Sequence, residues 1–205
     1  MHNPGEEHYK AALHVLRYLR GTSTLGMVYK CLPLPPGAKP RPIIEAYADA
    51  NWAEADDRIS TSGNIIRLID SRFAGQHVEG NFISYVSKRQ ECVTLSSTEA
   101  EYVSAGRCTQ TVAWLRRLLD QLGFVQRKPT VLYEDNTGCI VLAGDEVISQ
   151  RSKHIDIKYH YIRQEVRNGN ICMEYLQTTD MNADGLTKNL SFPRFSFLRA
   201  RNGLL

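Results

Sequence analysis

Five of the eight prolines in this chain of 205 residues fall between Leu32 and Pro42, in the run LPLPPGAKPRP. Proline fixes φ and lacks a backbone N–H, so a run this dense is neither helix nor central strand. The chain therefore divides around it. Residues 1–31 form an appendage, 32–42 a linker, 43–190 the main domain and 191–205 a basic C-terminal tail. The appendage is too short to build its own core. Within it, Glu6 to Arg20 places Tyr9, Leu13, Leu16 and Leu19 near helical spacing, with acids in the first turn and Gly21 as a stop, which predicts an amphipathic helix. Its stripe should pack on the main domain or stay loose for want of a partner. Leu25 to Tyr29 follows as a short candidate strand.

Beyond the linker the pattern is mixed. Ile43–Ala48, Ser62–Ile69 and Asn81–Ser87 read as strands separated by polar turns. Ser97–Leu122 is a long helical pattern closed by Gly123, with Ser96 or Ser97 as cap. Thr130–Glu134 is a fourth strand, Thr137–Ala143 a short helix, Ser152–Arg167 a basic helix, Ile171–Gln177 a fifth strand and Ala183–Leu190 a final helix. Such an order predicts an α/β domain. At 42% hydrophobic and 23% charged residues with a mean hydropathy of -0.34, the chain has the apolar content of a globular protein. No apolar run reaches the roughly 18–20 residues a bilayer crossing needs, and the first ten residues lack a signal-peptide layout. A soluble intracellular protein with no membrane partner is expected. The five cysteines form no CxxC pair, so neither a disulfide framework nor a zinc ribbon is suggested.

The net charge of +3 is small, but its placement is uneven. Between Gln150 and Asn168, Arg151, Lys153, Lys158, Arg163 and Arg167 face two acids, and after Asp184 come Lys188, Arg194, Arg199 and Arg201 with none. Taken alone this is a solvated basic face; beside a phosphate-processing site it becomes a phosphate contact surface.

The acids carry more information. A carboxylate closing an apolar strand costs several kcal/mol to desolvate unless a cation meets it. Asp49 closes IIEAYAD and Asp135 closes VLYED. In the long helix, Glu101 heads the stripe Ala105, Cys108, Val112, Leu115, Leu119 and Leu122, whereas Glu99 lies about 200° around the axis. Glu101 therefore points toward the sheet. Asp184 sits in the first turn of the expected last helix, where the dipole favours an anion. Together Asp49, Glu101, Asp135 and Asp184 suit all-oxygen ligation of Mg²⁺, with Mn²⁺ as the alternative ion, in the outline of a two-metal phosphoryl-transfer site. A zinc site finds no support, since His154 and His160 are six apart.

The blocks YADANWAEADDRISTSGNIIRL, ISYVSKRQECVTLSSTEAEYVSA, LYEDNTGCIVLA, RSKHIDIKYHYIRQEV and TTDMNADGLTK resemble, in order, those of the RNase H domain of copia-type LTR-retrotransposon polyproteins. The likeness spans about Ile43 to Leu190. The opening EEHYKAALHVLRYLRGTSTLGMVY resembles the segment joining that family's reverse transcriptase to its RNase H.

That resemblance implies an RNase H-like fold, a five-stranded mixed sheet flanked by helices, and hydrolysis of the RNA strand of an RNA–DNA hybrid with two Mg²⁺. It places catalytic roles on Asp49 of YADA, Glu101 of AEY, Asp135 of EDN and Asp184 of NADGLTK. Asp49 is expected to bridge the two ions, Glu101 and Asp135 to hold one side and Asp184 the other. Arg151, Lys153 and Lys158 would contact phosphates and Asn136 would lie near the scissile strand. The implied partners are the hybrid and the reverse transcriptase of the same polyprotein, of which this chain would lack the protease, integrase and polymerase palm. The expected location is the cytoplasm, within a virus-like particle for an active element, or the nucleus. Three features depart from the family: Glu134 stands where a small residue or Cys is usual, no His occurs from Gln177 to Asp184, and Ser71–Phe82 is longer than a hairpin requires. A catalytically inactive nucleic-acid-binding or structural remnant is the rival reading. Convergence of the four carboxylates discriminates between them.

Overall fold

The segment Ile43–Ala50 has few residues that water would favour, and it becomes the middle of the sheet. A computed structural model describes residues 4–30, 33–53, 57–76, 80–144 and 156–205, with the side chains of 156–159 outside that description. Strand β1 (Pro42–Asn51) pairs antiparallel with β2 (Thr61–Asp70), which pairs antiparallel with β3 (Phe82–Arg89). On its other edge β1 runs parallel to β4 (Thr130–Glu134), and β4 parallel to β5 (Ile171–Tyr175). The order is β3-β2-β1-β4-β5, the five-stranded mixed sheet that was expected.

Parallel neighbours require crossovers, and helices supply them. Helix α2 (Ser97–Gln121) links β3 to β4, while α3 (Thr137–Gly144) and α4 (Asp156–Arg167) link β4 to β5. Alternation along β1 sends Ile44, Ala46 and Ala48 into one core with Tyr102, Ala105, Cys108, Val112, Leu115 and Leu119 of α2. The α2 stripe inferred from periodicity is thus the buried one, except that Leu122 lies past the helix end and is 61% exposed. Tyr47 and Ile65 face the other way, against Met181 and Ala183.

On that second face β1 and β2 also bury a charged pair. Glu45 and Arg67 are directly opposed in the β1–β2 register, and the Arg67 guanidinium donates to Glu45 at 2.7 Å and to the Tyr47 hydroxyl at 2.6 Å. Its carbon also lies 5.1 Å from the centre of the Tyr47 ring. Arg67 is 1% exposed.

The C-terminal third departs from the sequence reading. The helix expected over Ala183–Leu190 is a short 3-10 helix, Asn182–Leu186. The helix begins later: the segment read as a tail contains α5 (Phe192–Arg201), where Ser191 precedes Phe192 and Pro193, a proline position suited to a first helical turn. Leu198 is buried and anchors it.

The appendage forms helix α1 (Glu6–Gly21), but none of its residues is buried, and Tyr9, Leu16 and Leu19 remain more than half exposed. Tyr18, outside the expected stripe, lies edge-on to Phe195 of α5 at 5.6 Å. Leu25–Tyr29 is no full strand. Met27 bridges Leu204, Val28 N–H donates to Gly203 at 2.8 Å, and Asn81 N–H donates to Val28 at 3.2 Å. The end of the long 71–82 connection therefore knits the appendage to the C-terminus. Among the described residues, no helix is long and apolar enough to cross a membrane.

Candidate active site

Parallel pairing of β1 and β4 decides where the first two acids meet. Tyr47 is aligned with Tyr133, so Asp49 and Asp135, each two residues further on, emerge at the same end of the sheet. The start of α2 supplies the third acid. Ser96 Oγ accepts from Glu99 N–H at 3.2 Å, and Glu99 accepts from Leu95 N–H at 2.7 Å, a reciprocal cap that sets the helix phase. Glu99 is spent on the helix terminus, while Glu101 turns inward. One turn on, the Ser104 hydroxyl lies 2.8 Å from the Asp49 carbonyl and 2.9 Å from Asn64 Oδ1, pinning α2 to the strands below Glu101.

Asp49, Glu101 and Asp135 each offer a carboxylate oxygen within 4.8 Å of the others. Asp49 is fully buried and Glu101 is 6% exposed. One Glu101 oxygen, Oε2, is buried with no hydrogen-bond partner. Asp135 accepts from the Thr178 hydroxyl at 2.8 Å. Asp184 stands apart from this trio, joined to it through a side chain that the sequence offered only as part of the basic C-terminal run. Lys188 Nζ lies 2.5 Å from Asp184 Oδ1 and 3.1 Å from Asp49 Oδ1. Thr187 donates its hydroxyl to the other Asp49 oxygen, and Arg194 approaches Asp184 at 3.5 Å.

Glu134, which stands where the family usually has a small residue or Cys, is also buried completely, on the α2 side of β4 with Leu132. Its Oε1 accepts from Asn136 N–H at 3.2 Å, and its Oε2 has no partner. Burial, reinforced by repulsion from Glu134 and Asp49, pushes the Glu101 carboxyl well above the ordinary carboxylate range. Burial raises Glu134 in the same way, and raises Asp49 against the opposing pull of Lys188. For Lys188, burial alone would favour the neutral amine, but Asp49 and Asp184 outweigh it and hold the ammonium charged. Too many carboxylates share too few cations here. With only oxygen donors and a buried unpartnered Glu101 oxygen, the residues fit a hard divalent ion.

Asn136 is engaged as the cap of α3, its Oδ1 accepting from Cys139 N–H at 3.0 Å. Arg151 and Lys153 lie outside the described residues. Lys158 belongs to α4.

The turn carrying Asp184 and Lys188 reaches the trio only because β2 has Gly63 opposite Asp49. A Cβ there would lie 2.5 Å from Thr187 Cγ2, 3.1 Å from Leu186 Cβ and 3.2 Å from the Ala183 carbonyl. Gly63→Ala is expected to push residues 183–187 outward and cost about 1–3 kcal/mol, the usual range for overpacking. A thermal melt checks it; an unchanged midpoint would show that the turn yields without cost.

Comparisons with known proteins bear on this geometry. No family model matches the chain. The chain is 39% identical over 206 residues to a retrovirus-related Pol polyprotein from transposon RE1 of Arabidopsis thaliana, covering all of this chain and 13% of the relative. It is 35% identical over 205 residues to the one from transposon TNT 1-94 of Nicotiana tabacum, again over its whole length and 14% of that relative. Over its whole length this chain has retrovirus-related Pol polyproteins of plant transposons as homologues. It spans about one seventh of the length of the curated relatives it matches. A solved RNase H1, LC11, aligns over 70% of this chain and 91% of its own at 16% identity and a TM-score of 0.48. The five-stranded mixed sheet with its flanking helices is the architecture that the sequence blocks imply.

Proposed function

We propose that this Pol segment is the ribonuclease H of a copia-type transposon and hydrolyses the RNA strand of RNA–DNA hybrids with Mg²⁺. The observation that carries this reading is the convergence of Asp49, Glu101 and Asp135, from two strands and a helix, within 4.8 Å. Asp184 is tied to Asp49 by the single ammonium of Lys188. No packing requirement explains so many acids at one sheet end.

In the reaction, water attacks the phosphorus of the RNA strand and the P–O3′ bond breaks, leaving a 3′ hydroxyl and a 5′ phosphate. Bound Mg²⁺ supplies a more acidic water and charge stabilisation at the leaving oxygen. Asp49, Glu101 and Asp135 would hold one ion, and Asp184 would complete the other side with Asp49. Alternation along β4 gives Glu134 the inward place and turns its neighbour Asp135 to the other face. RNA is distinguished from DNA by its 2′-hydroxyls and groove shape.

The test is cleavage of a labelled hybrid by the purified chain with and without Mg²⁺. Ion-dependent cutting of the RNA strand to 5′-phosphate products is expected. Binding without cutting at every ion concentration would overturn the reading in favour of an inactive remnant.

Phosphate contact is assigned to Arg151, Lys153 and Lys158. Charge reversal of Lys153 and Lys158 together should weaken hybrid binding and reduce its logarithmic salt slope by about one per lost contact. Binding measured across a salt series checks this, and an unaltered slope would leave that stretch a solvated face.

A further inference from the structure

Lys188 is a cation seated among carboxylates that suit cations. Both Asp49 Oδ1 and Asp184 Oδ1 are directed at its Nζ, at 3.1 and 2.5 Å. Its side chain is 34% exposed, while that of Asp49 is 0% and that of Asp184 is 7% exposed. The ammonium thus reaches inward from the surface, and its flexible stem has a way out. Thr187 keeps its hydroxyl on the remaining Asp49 oxygen and is 3.2 Å from the Asp184 carbonyl, so this end of the turn is fastened even without Lys188.

The two sides of the site are unequal. On one side Asp49, Glu101 and Asp135 face each other, and Glu101 Oε2 is buried with no hydrogen-bond partner. On the other side the oxygens of Asp49 and Asp184 are already bonded to an ammonium. An ion ligated by oxygens at about 2.0–2.1 Å would overlap Nζ, so the two cannot share that carboxylate pair.

We propose that Lys188 is a resident competitor for the second divalent ion. It holds Asp49 and Asp184 together in the ion-free protein, and an ion enters between them only as the ammonium withdraws. The first ion fills the Asp49–Glu101–Asp135 side without displacing it. Lys188 is a positioning residue in the empty site and the gate to its second half. The proposal rests on the metal-site reading above.

Mn²⁺ binding to the full chain, counted from the loss of free Mn²⁺ signal in electron paramagnetic resonance at constant ionic strength, tests it without reference to cleavage. Wild type should take one ion tightly and a second at least tenfold more weakly. Lys188→Met should tighten the second by tenfold or more and leave the first within about threefold. Lys188→Arg, which keeps the charge, should retain the wild-type disparity. Lys188→Gln, which keeps a donor without charge, gives the same tightening should the Met variant not fold. Without ions the uncharged variants should melt lower than wild type, and Mn²⁺ should recover more stability for them than for wild type.

A second affinity that is unchanged or weaker in both uncharged variants overturns the proposal, and shows Lys188 ordering the carboxylates for the ion instead of opposing it. Loss of all Mn²⁺ binding from wild type, with Glu101→Gln no different, fails the metal-site reading itself. The two failures are distinguished by the first ion, which survives in the former and is missing in the latter.

Discussion

Glu101→Gln should abolish most hybrid cleavage, by more than about 100-fold, while the ion-free protein becomes more stable at pH 8. The activity loss follows from removing an ion ligand, because charge stabilisation by a bound ion is worth several kcal/mol and each 1.36 kcal/mol is tenfold in rate. The stability gain follows from crowding. Glu101 and Glu134 are buried together with unpartnered oxygens, and both carboxyls titrate above their ordinary range. A folded-state pKa above the unfolded value contributes stability that is complete below about pH 4 and is lost as pH rises through the folded value. Wild type should therefore lose stability from pH 4 toward pH 8, and the Gln variant should lose less. Each kcal/mol relieved raises the midpoint by about 2–4 °C for a chain of this size. Saturating Mg²⁺ reverses the order, since an ion that binds only the folded state stabilises wild type more. Glu99→Gln is the control. Gln still accepts from Leu95 N–H, so activity should stay within a few-fold and the helix end should weaken by about 0.3–1 kcal/mol. Thermal melts at pH 5 and pH 8 and cleavage at saturating Mg²⁺ decide it. A dead Glu99→Gln would mean that the wrong acid has been placed over the sheet.

The second large effect lies on the opposite face of the sheet. Arg67→Met should destabilise the fold by about 3–5 kcal/mol, because it leaves the buried Glu45 carboxylate without its cation. The Tyr47 hydroxyl alone cannot replace it, being 3.3 Å from Glu45 and itself bonded to Arg67. The pair Glu45→Met with Arg67→Met should recover most of the loss, since apolar replacements of similar volume avoid burying an unpaired charge. Denaturant melts of both single variants and the double variant make the comparison. Additive losses in the double variant would show that the two side chains do not act as a pair.

Helical phase was legible for Glu99 and Glu101 because a cap and a core stripe are written within one segment. Glu134 stood out in the sequence only as a departure from the family pattern, because its neighbour Asp135 drew the chemistry. A carboxylate two residues past Leu132 on an inward-facing alternation was a signal available in VLYED. Glu45 and Arg67 carried a similar signal, each a charge with apolar residues on both sides in its strand.

The final helix was misplaced for another reason. A carboxylate at Asp184 resembles a helix start, yet the segment makes only a 3-10 turn, and α5 begins after Ser191 with proline in its first turn. Local preference could not show that the turn's task is to lie against Gly63.

Periodicity, capping residues and the proline run determined by themselves that this chain alternates strands and helices, that the helix after the third strand buries the Glu101 side, and that 32–42 is neither helix nor central strand. These properties are local, set by 2.0 and 3.6 residue repeats and by the φ restriction of proline. Only the tertiary structure decided that Asp49 and Asp135 share a sheet end, that Asp184 reaches them through Lys188, that Glu45 opposes Arg67, and that residues 26–28 pair with the C-terminus. Each of those depends on the register between segments far apart in sequence, and a shift of one residue turns a strand's side chains to its other face.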